Sequence, residues 1–371
     1  LEKKREALSS NTFFSKYEKI KILYQDCYEY GTRSFASLAR LAFIGNTFLK
    51  SFLNKKIISP KEHDLFLNSI STVATEMSNK LEKVRNKQIS LPDYIRMYGH
   101  LRPGTWDIRA YTYSEKPEIY FDTSMTKTSG IASESNADFK FSKQTMANIQ
   151  SILSENLIDI KAKDLLDFIK KSIVAREYSK FSFSKNVSEI LSLITEVGAS
   201  LNFSKSDMSF LNFNSFLNFD EELSISDISA LFSSEIEIRK DSYLLNQQVI
   251  TPQIITDSTD LSFVKYFKNR PNFITDRKVL GEIEFVKEGL SSAEIRNKIV
   301  FIESADPGYD WIFTHNIKGL ITKYGGAASH MAIRASEFNL PAVIGLGSNF
   351  EKLKKSNKIS LDCGNKIIEE L

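Results

Sequence analysis

From residue 17 to about residue 85 the apolar positions recur at three- and four-residue spacing with few Gly or Pro, which predicts a run of helices. Over 31–50, Phe35, Leu38, Ala39, Ala42 and Phe43 fall on one stripe, while Leu41, Ile44 and Phe48 occupy much of the remaining circumference. That distribution predicts a helix buried nearly all round. Arg33 and Arg40 share one side of it, and on a buried side they need anionic partners. A local carboxylate, a surface position reaching solvent, or a bound ligand would each meet that need. Between 91 and 121 the texture changes to Gly, Pro and aromatic residues, and 108–113 reads as strand-like. The Ser-, Thr- and Asn-rich stretch 122–140 reads as a mobile connection. Helical spacing returns over 144–176 and 188–201, a Phe- and Asn-rich loop covers 202–219, and a further helix covers 226–246.

Near Pro252 the helical block ends, and an alternating pattern begins after the Pro271 linker. Pro271, Asn272 and Thr275 gather where the helical block gives way, so 271–278 is predicted to be a hinge linker. Strands are predicted at 278–286, 298–303, 319–322, 342–345, 358–362 and 366–369, with helices at 308–314 and 329–338. The fold class that follows is α+β: a mostly helical N-terminal domain over 1–270 with a β/loop insertion near 91–140, then an α/β domain over 279–371.

Composition narrows the functions available. The 371 residues carry 49 Lys and Arg against 46 Asp and Glu, a net charge of +3, which argues against nucleic acid or an anionic membrane as partner. No apolar run approaches the ~18 residues that span a bilayer, and the charged start of the chain does not resemble a signal peptide. Cys27 and Cys363 lie near opposite ends, so neither a disulfide framework nor a metal site is expected. A cytoplasmic protein fits these features. The chain begins at Leu1 rather than Met and is read as part of something longer.

The sharpest local signal runs from Gly319 to Gly345. A predicted buried strand enters Gly325-Gly326, whose backbone can adopt positive φ and approach a ligand closely, and Ser329 is suited to cap the next helix. His330 then sits in the first turn, where free N–H groups and the helix dipole favour an anion. A neutral imidazole is a competent nucleophile near pH 7, so one His can carry a covalent phosphoryl group without a triad. An ordinary helix cap beside a solvated His is the alternative.

These residues resemble the swivelling phosphohistidine domain of the phosphoenolpyruvate (PEP) synthase, pyruvate phosphate dikinase and rifampin phosphotransferase group. The resemblance covers about 275–371, including the Asp306-Pro307-Gly308 entry to a helix. It departs at Ala328, where the family usually has Thr, and at Ser336, where it usually has Arg; Arg334 lies two positions earlier. The pieces 31–43, 98–108, 252–260 and 271–275 resemble a smaller subgroup, the PEP-synthase-like L-glutamine kinases of capsular phosphoramidate biosynthesis, and 98–104 is also similar to the substrate domain of rifampin phosphotransferases. The resemblance implies that His330 is the phosphorylated residue and that Gly325, Gly326, Ser329 and Arg334 form its phosphate loop. It further implies that 1–270 is an acceptor domain and that an N-terminal ATP-grasp domain outside this chain binds ATP and Mg²⁺, so no cofactor is expected on the fragment itself. No Gly-rich phosphate loop with a Lys appears in the chain, and ATP turnover by the fragment alone is not expected.

For the acceptor, the loop Tyr98-Gly-His-Leu-Arg-Pro-Gly-Thr-Trp-Asp107 holds a suitable inventory: Arg102 for a carboxylate, Asp107 for an ammonium, Trp106 as an apolar wall and His100 for acid–base work. Arg33 and Arg40 are further binding candidates. Alternatively, Gly99, Pro103 and Gly104 fix a structural turn in which Arg102 and Asp107 pair with each other. L-Glutamine is the expected acceptor, with an antibiotic such as rifampin or pyruvate as alternatives. Pyruvate is disfavoured because 41 residues follow His330, too few for a pyruvate-binding barrel. A non-catalytic phosphocarrier or scaffold is the reading from another class.

Overall fold

Two strands in the C-terminal part, Ile299–Ser304 and Gly319–Tyr324, begin with four consecutive buried residues each. Runs of that kind suit the interior of a parallel sheet covered on both faces. In the computed structural model they are β3 and β4 of a sheet completed by β1 (Asn272–Ile274), β2 (Lys278–Phe285), β5 (Ala342–Ile344), β6 (Lys358–Asp362) and β7 (Ile367–Glu370). The order is β1-β5-β4-β3-β2-β6-β7. The four central strands are parallel, and β1, β6 and β7 add antiparallel edges. One face of the sheet is closed by a cluster that includes Phe301, Ile321, Val343, Phe350 and Leu361. The structure describes residues 1–121, 139–218, 223–246, 255–261, 271–286, 292–305, 307–327 and 329–371.

The chain divides into two compact units. One comprises Leu1–His100 and Ile131–Ile190, the other Leu101–Gly130 and Leu191–Leu371. This grouping does not follow the boundary expected at 270. The expected boundary rested on a change of composition, whereas 101–121 packs against segments far along the chain, including Tyr120 edge-on to Trp311. In the first unit the helix Arg33–Asn54 meets the helix Ala162–Ser200 in a core that contains Ala42, Leu49, Phe52, Phe66, Ile149, Leu165 and Ile169.

Several expectations are corrected. The helix Arg33–Asn54 is not buried all round: Ala42, Gly45, Leu49 and Phe52 form its buried stripe, and Phe43 is 61% exposed. Burial follows the stripe facing Ala162–Ser200, which a one-helix wheel does not locate. Residues 272–274, placed in the hinge, are β1, hydrogen-bonded against β5. Three residues behind a Pro give almost no periodic signal, yet an edge strand tolerates that neighbour. The stretch 108–113 forms turns rather than a strand. The break expected between 176 and 188 is absent, because Ala162–Ser200 is one helix. Its Ser-rich middle is a weak helix former, but Phe183 and Val187 are buried, and packing overrides propensity. Short helices, Lys205–Met208 and Asn214–Leu217, interrupt the loop expected at 202–219. The mobile connection expected at 122–140 lies mostly outside the described residues, as do Pro252, Asp306 and Ala328. Among the described residues no helix is long and apolar enough to cross a membrane.

Candidate active site

The site grows out of the end of β4. Gly325 turns the chain with φ at +135°, and a Cβ there would lie 2.6 Å from the Ala305 Cβ and 3.0 Å from the Ile344 side chain, so both conformation and space call for glycine. Thr322, fully buried in β4, accepts from the Gly345 N–H at 3.0 Å and donates to the Tyr324 carbonyl at 2.9 Å. These bonds fix the turn against the chain leaving β5. Gly326 follows with open space around its α-carbon, and Ser329 caps the helix His330–Glu337 by accepting from the Ala332 N–H. Met331, Ala332 and Ala335 bury one face of that helix. His330, its first residue, is left half-buried at the rim.

The residue that faces His330 is Asp310, from the 3₁₀ helix Pro307–His315. The His330 Nε2 lies 2.8 Å from the Asp310 Oδ1, and the Arg334 Nε donates to the same oxygen at 3.2 Å. Arg334 also donates to Glu337 at 2.6 Å, and its guanidinium lies over the Phe338 ring, 4.8 Å from the centroid. Asp310 is 4% exposed. Burial pushes its carboxyl up, but the Arg334 charge and the His330 contact outweigh burial and hold it below the usual carboxylate range. Burial likewise opposes the charge on Arg334, and Asp310 and Glu337 overcome it to raise that group. An ionised Asp310 accepts the proton carried on Nε2, which leaves Nδ1 with the lone pair. Attack through Nδ1 can proceed from this pose, whereas attack through Nε2 requires the ring to leave Asp310.

Of the phosphate-loop residues named from the sequence, Gly325, Gly326 and Ser329 lie in the turn and cap that lead into His330, while Arg334 is committed to Asp310 and Glu337. Ser336 is exposed. Asp310 escaped sequence reasoning because nothing in a 20-residue separation links it to His330. Its only signal was its place just after the Pro307-Gly308 step.

The acceptor candidates divide between the two units. In the first, Arg33 is exposed and 3.6 Å from Glu29, and Arg40 is exposed. His100 is half-buried, with Nε2 3.3 Å from the Ser184 hydroxyl and its ring edge-on to Phe181. In the second unit, Asp107 accepts from the Arg109 Nε at 3.0 Å and Nη2 at 2.9 Å, and the Arg102 charge also acts favourably on it. Burial favours protonation of Asp107, but the bonds from Arg109 prevail and lower its carboxyl. Arg102 is 4% exposed, donates to the Ala110 carbonyl at 3.5 Å, and has its guanidinium pulled down by burial. Trp106 is 60% exposed. Among the described residues no group of three or more His, Cys, Asp and Glu side chains is placed to hold a metal ion.

Residues 295–366 match the PEP-utilising enzyme mobile domain. Rifampicin phosphotransferase of Bacillus subtilis is 24% identical over 302 residues, covering 75% of this chain and 34% of that protein. PEP-protein phosphotransferase of Borreliella burgdorferi is 25% identical over 224 residues, 58% of this chain and 36% of that protein. PEP synthase of Aquifex aeolicus is 33% identical over 66 residues, 18% of this chain and 8% of that protein. The chain thus spans about a third of the B. subtilis and B. burgdorferi relatives. Residues 295–366 thus match a PEP-utilising enzyme mobile domain, and that match and these relatives together support a place for the chain among the PEP-utilising phosphotransferases.

Proposed function

We propose that this chain is the phosphohistidine-bearing and acceptor-binding part of an ATP-dependent phosphotransferase. The observation that carries the reading is His330 itself, first residue of a capped helix behind a Gly-Gly turn, with its ring oriented by the buried Asp310. A ring nitrogen attacks the β-phosphorus of ATP and the P–O bond to AMP breaks, leaving a pyrophosphoryl group on His330; water then attacks the terminal phosphorus, the P–O–P bond breaks, and inorganic phosphate leaves with the β-phosphoryl group still on the ring nitrogen. The P–N bond then breaks as the acceptor nucleophile attacks. ATP and Mg²⁺ are bound by an ATP-grasp domain of the same protein, outside residues 1–371, and the reaction is cytoplasmic.

For the acceptor, the resemblance of 31–43 and 98–108 supports the side-chain amide of L-glutamine, in capsular phosphoramidate biosynthesis. An amide nitrogen has a delocalised lone pair and needs help with its proton, a role for which His100 is the candidate. The long match to rifampicin phosphotransferase supports an antibiotic acceptor as the second reading. Incubating the full-length protein with [β-³²P]ATP should give acid-labile, alkali-stable label on His330, absent in His330→Ala. Label that persists in that variant would sink the assignment. Calorimetric titration with L-glutamine, rifampicin and pyruvate separates the acceptors.

A further inference from the structure

Within the second unit, the segment that carries Arg102 and Asp107 meets the turn leading to Asp310 backbone to backbone. A Cβ placed on Gly308 would lie 2.6 Å from the Arg102 oxygen, the Pro103 Cα and the Gly104 nitrogen. These are main-chain atoms, which cannot swing aside as the tip of a flexible side chain does. The Tyr113 hydroxyl donates to the Gly308 carbonyl at 3.1 Å, and the Tyr120 ring stands edge-on to Trp311 at 5.5 Å. Tyr113, Tyr120 and Trp311 are all buried. Two residues beyond Gly308, Asp310 holds His330. A glycine contact between segments about 200 residues apart in sequence therefore fixes the height of the 101–121 loop above the base of the phosphohistidine site.

We infer that Gly308 is a docking contact that aligns the 101–121 segment with His330 for transfer to the acceptor, and that phosphorylation of His330 by ATP does not need it. The inference rests on the function proposed above. Its physical basis is the tolerance of a near-attack geometry: reacting atoms must lie within about 3.5 Å, and a displacement of about 1 Å costs roughly 100-fold. Any side chain at Gly308 forces a separation of that order. Loss of the Tyr113 hydroxyl removes one hydrogen bond and leaves the backbone approach intact.

The test uses the full-length protein and its Gly308→Val and Tyr113→Phe variants. Label from [β-³²P]ATP onto the protein should stay within about twofold of wild type in Tyr113→Phe, and in Gly308→Val it should fall by much less than the discharge of that label does, because Asp310 lies two residues on. Discharge of that label by L-glutamine or rifampicin should slow by about 100-fold in Gly308→Val and by about tenfold or less in Tyr113→Phe. Unchanged discharge in Gly308→Val, or parallel loss of labelling and discharge in both variants, overturns the inference. Amide exchange gives a readout free of the chemistry: exchange over 107–121 should quicken in Gly308→Val while β3 and β4 keep their protection. Unchanged exchange there removes the contact itself. A wild-type protein that takes no label from ATP defeats the proposed function, and the exchange result then decides the contact on its own.

Discussion

The Nε2 of His330 lies 2.8 Å from the Oδ1 of Asp310, a carboxylate that is itself buried and paired with Arg334. The arrangement places an orienting acceptor behind a nucleophile, the logic by which a buried Asp selects the tautomer and angle of a catalytic His. Asp310→Asn keeps the shape but offers an amide in place of one acceptor oxygen. Phosphorylation of His330 in the full-length protein should then fall by on the order of 100-fold, measured as the initial rate of label incorporation. A rate within twofold of wild type would remove Asp310 from the positioning role.

Arg334 is 9% exposed and divides its donors between Asp310 and Glu337. Arg334→Met leaves the Asp310 charge buried beside His330 alone, and removing one partner of a buried pair costs about 3–5 kcal/mol. Arg334→Lys should recover only part of that loss, since an ammonium lacks the planar group that lies over Phe338. Urea midpoints of the three proteins give the order wild type, Lys, Met. Equal midpoints for Lys and Arg would show that charge alone matters.

Asp207 accepts from Lys240 at 2.6 Å and from the Ser204 side chain and backbone, which pull its carboxyl down to about 2. A carboxyl that titrates lower folded than unfolded binds fewer protons in the folded state. Its stabilisation is therefore complete above the ordinary value of about 3.9 and is lost as pH falls toward about 2. The difference in urea midpoint between wild type and Asp207→Asn should be constant from about pH 7 to 5 and shrink from about pH 4 downward. A difference that grows on acidification contradicts the pairing.

Cys27 and Cys363 are buried, and burial pushes each thiol up to about 11. Since the thiolate is the reactive form, neither should react appreciably with a disulfide reagent near pH 8 in the folded protein, and both should react at once in denaturant. Rapid reaction of either under native conditions would show local opening at that site.

Much of the His330 turn was legible in the sequence because it is local. A glycine pair behind a strand, a serine cap and a histidine in the next position determine a backbone path through short-range geometry. Strands at 298–303 and 319–322 were likewise predicted from the sequence, the second as a buried strand entering the turn. Asp310 joins the site, and Gly308 the contact with Arg102–Gly104 outside it, only through folding, since the first meets His330 across 20 residues and the second meets its partners across about 200. The same holds for the acceptor candidates. Arg33 and Arg40 share a side whose burial the helical wheel left open, since the side of Arg33–Asn54 that is covered depends on where Ala162–Ser200 lies. Asp107 looked available for an ammonium, yet Arg109, two residues on, folds back onto it. Periodicity specifies which residues share a face; which face is covered, and which charge finds which partner, is decided by packing between segments whose separation no local pattern encodes.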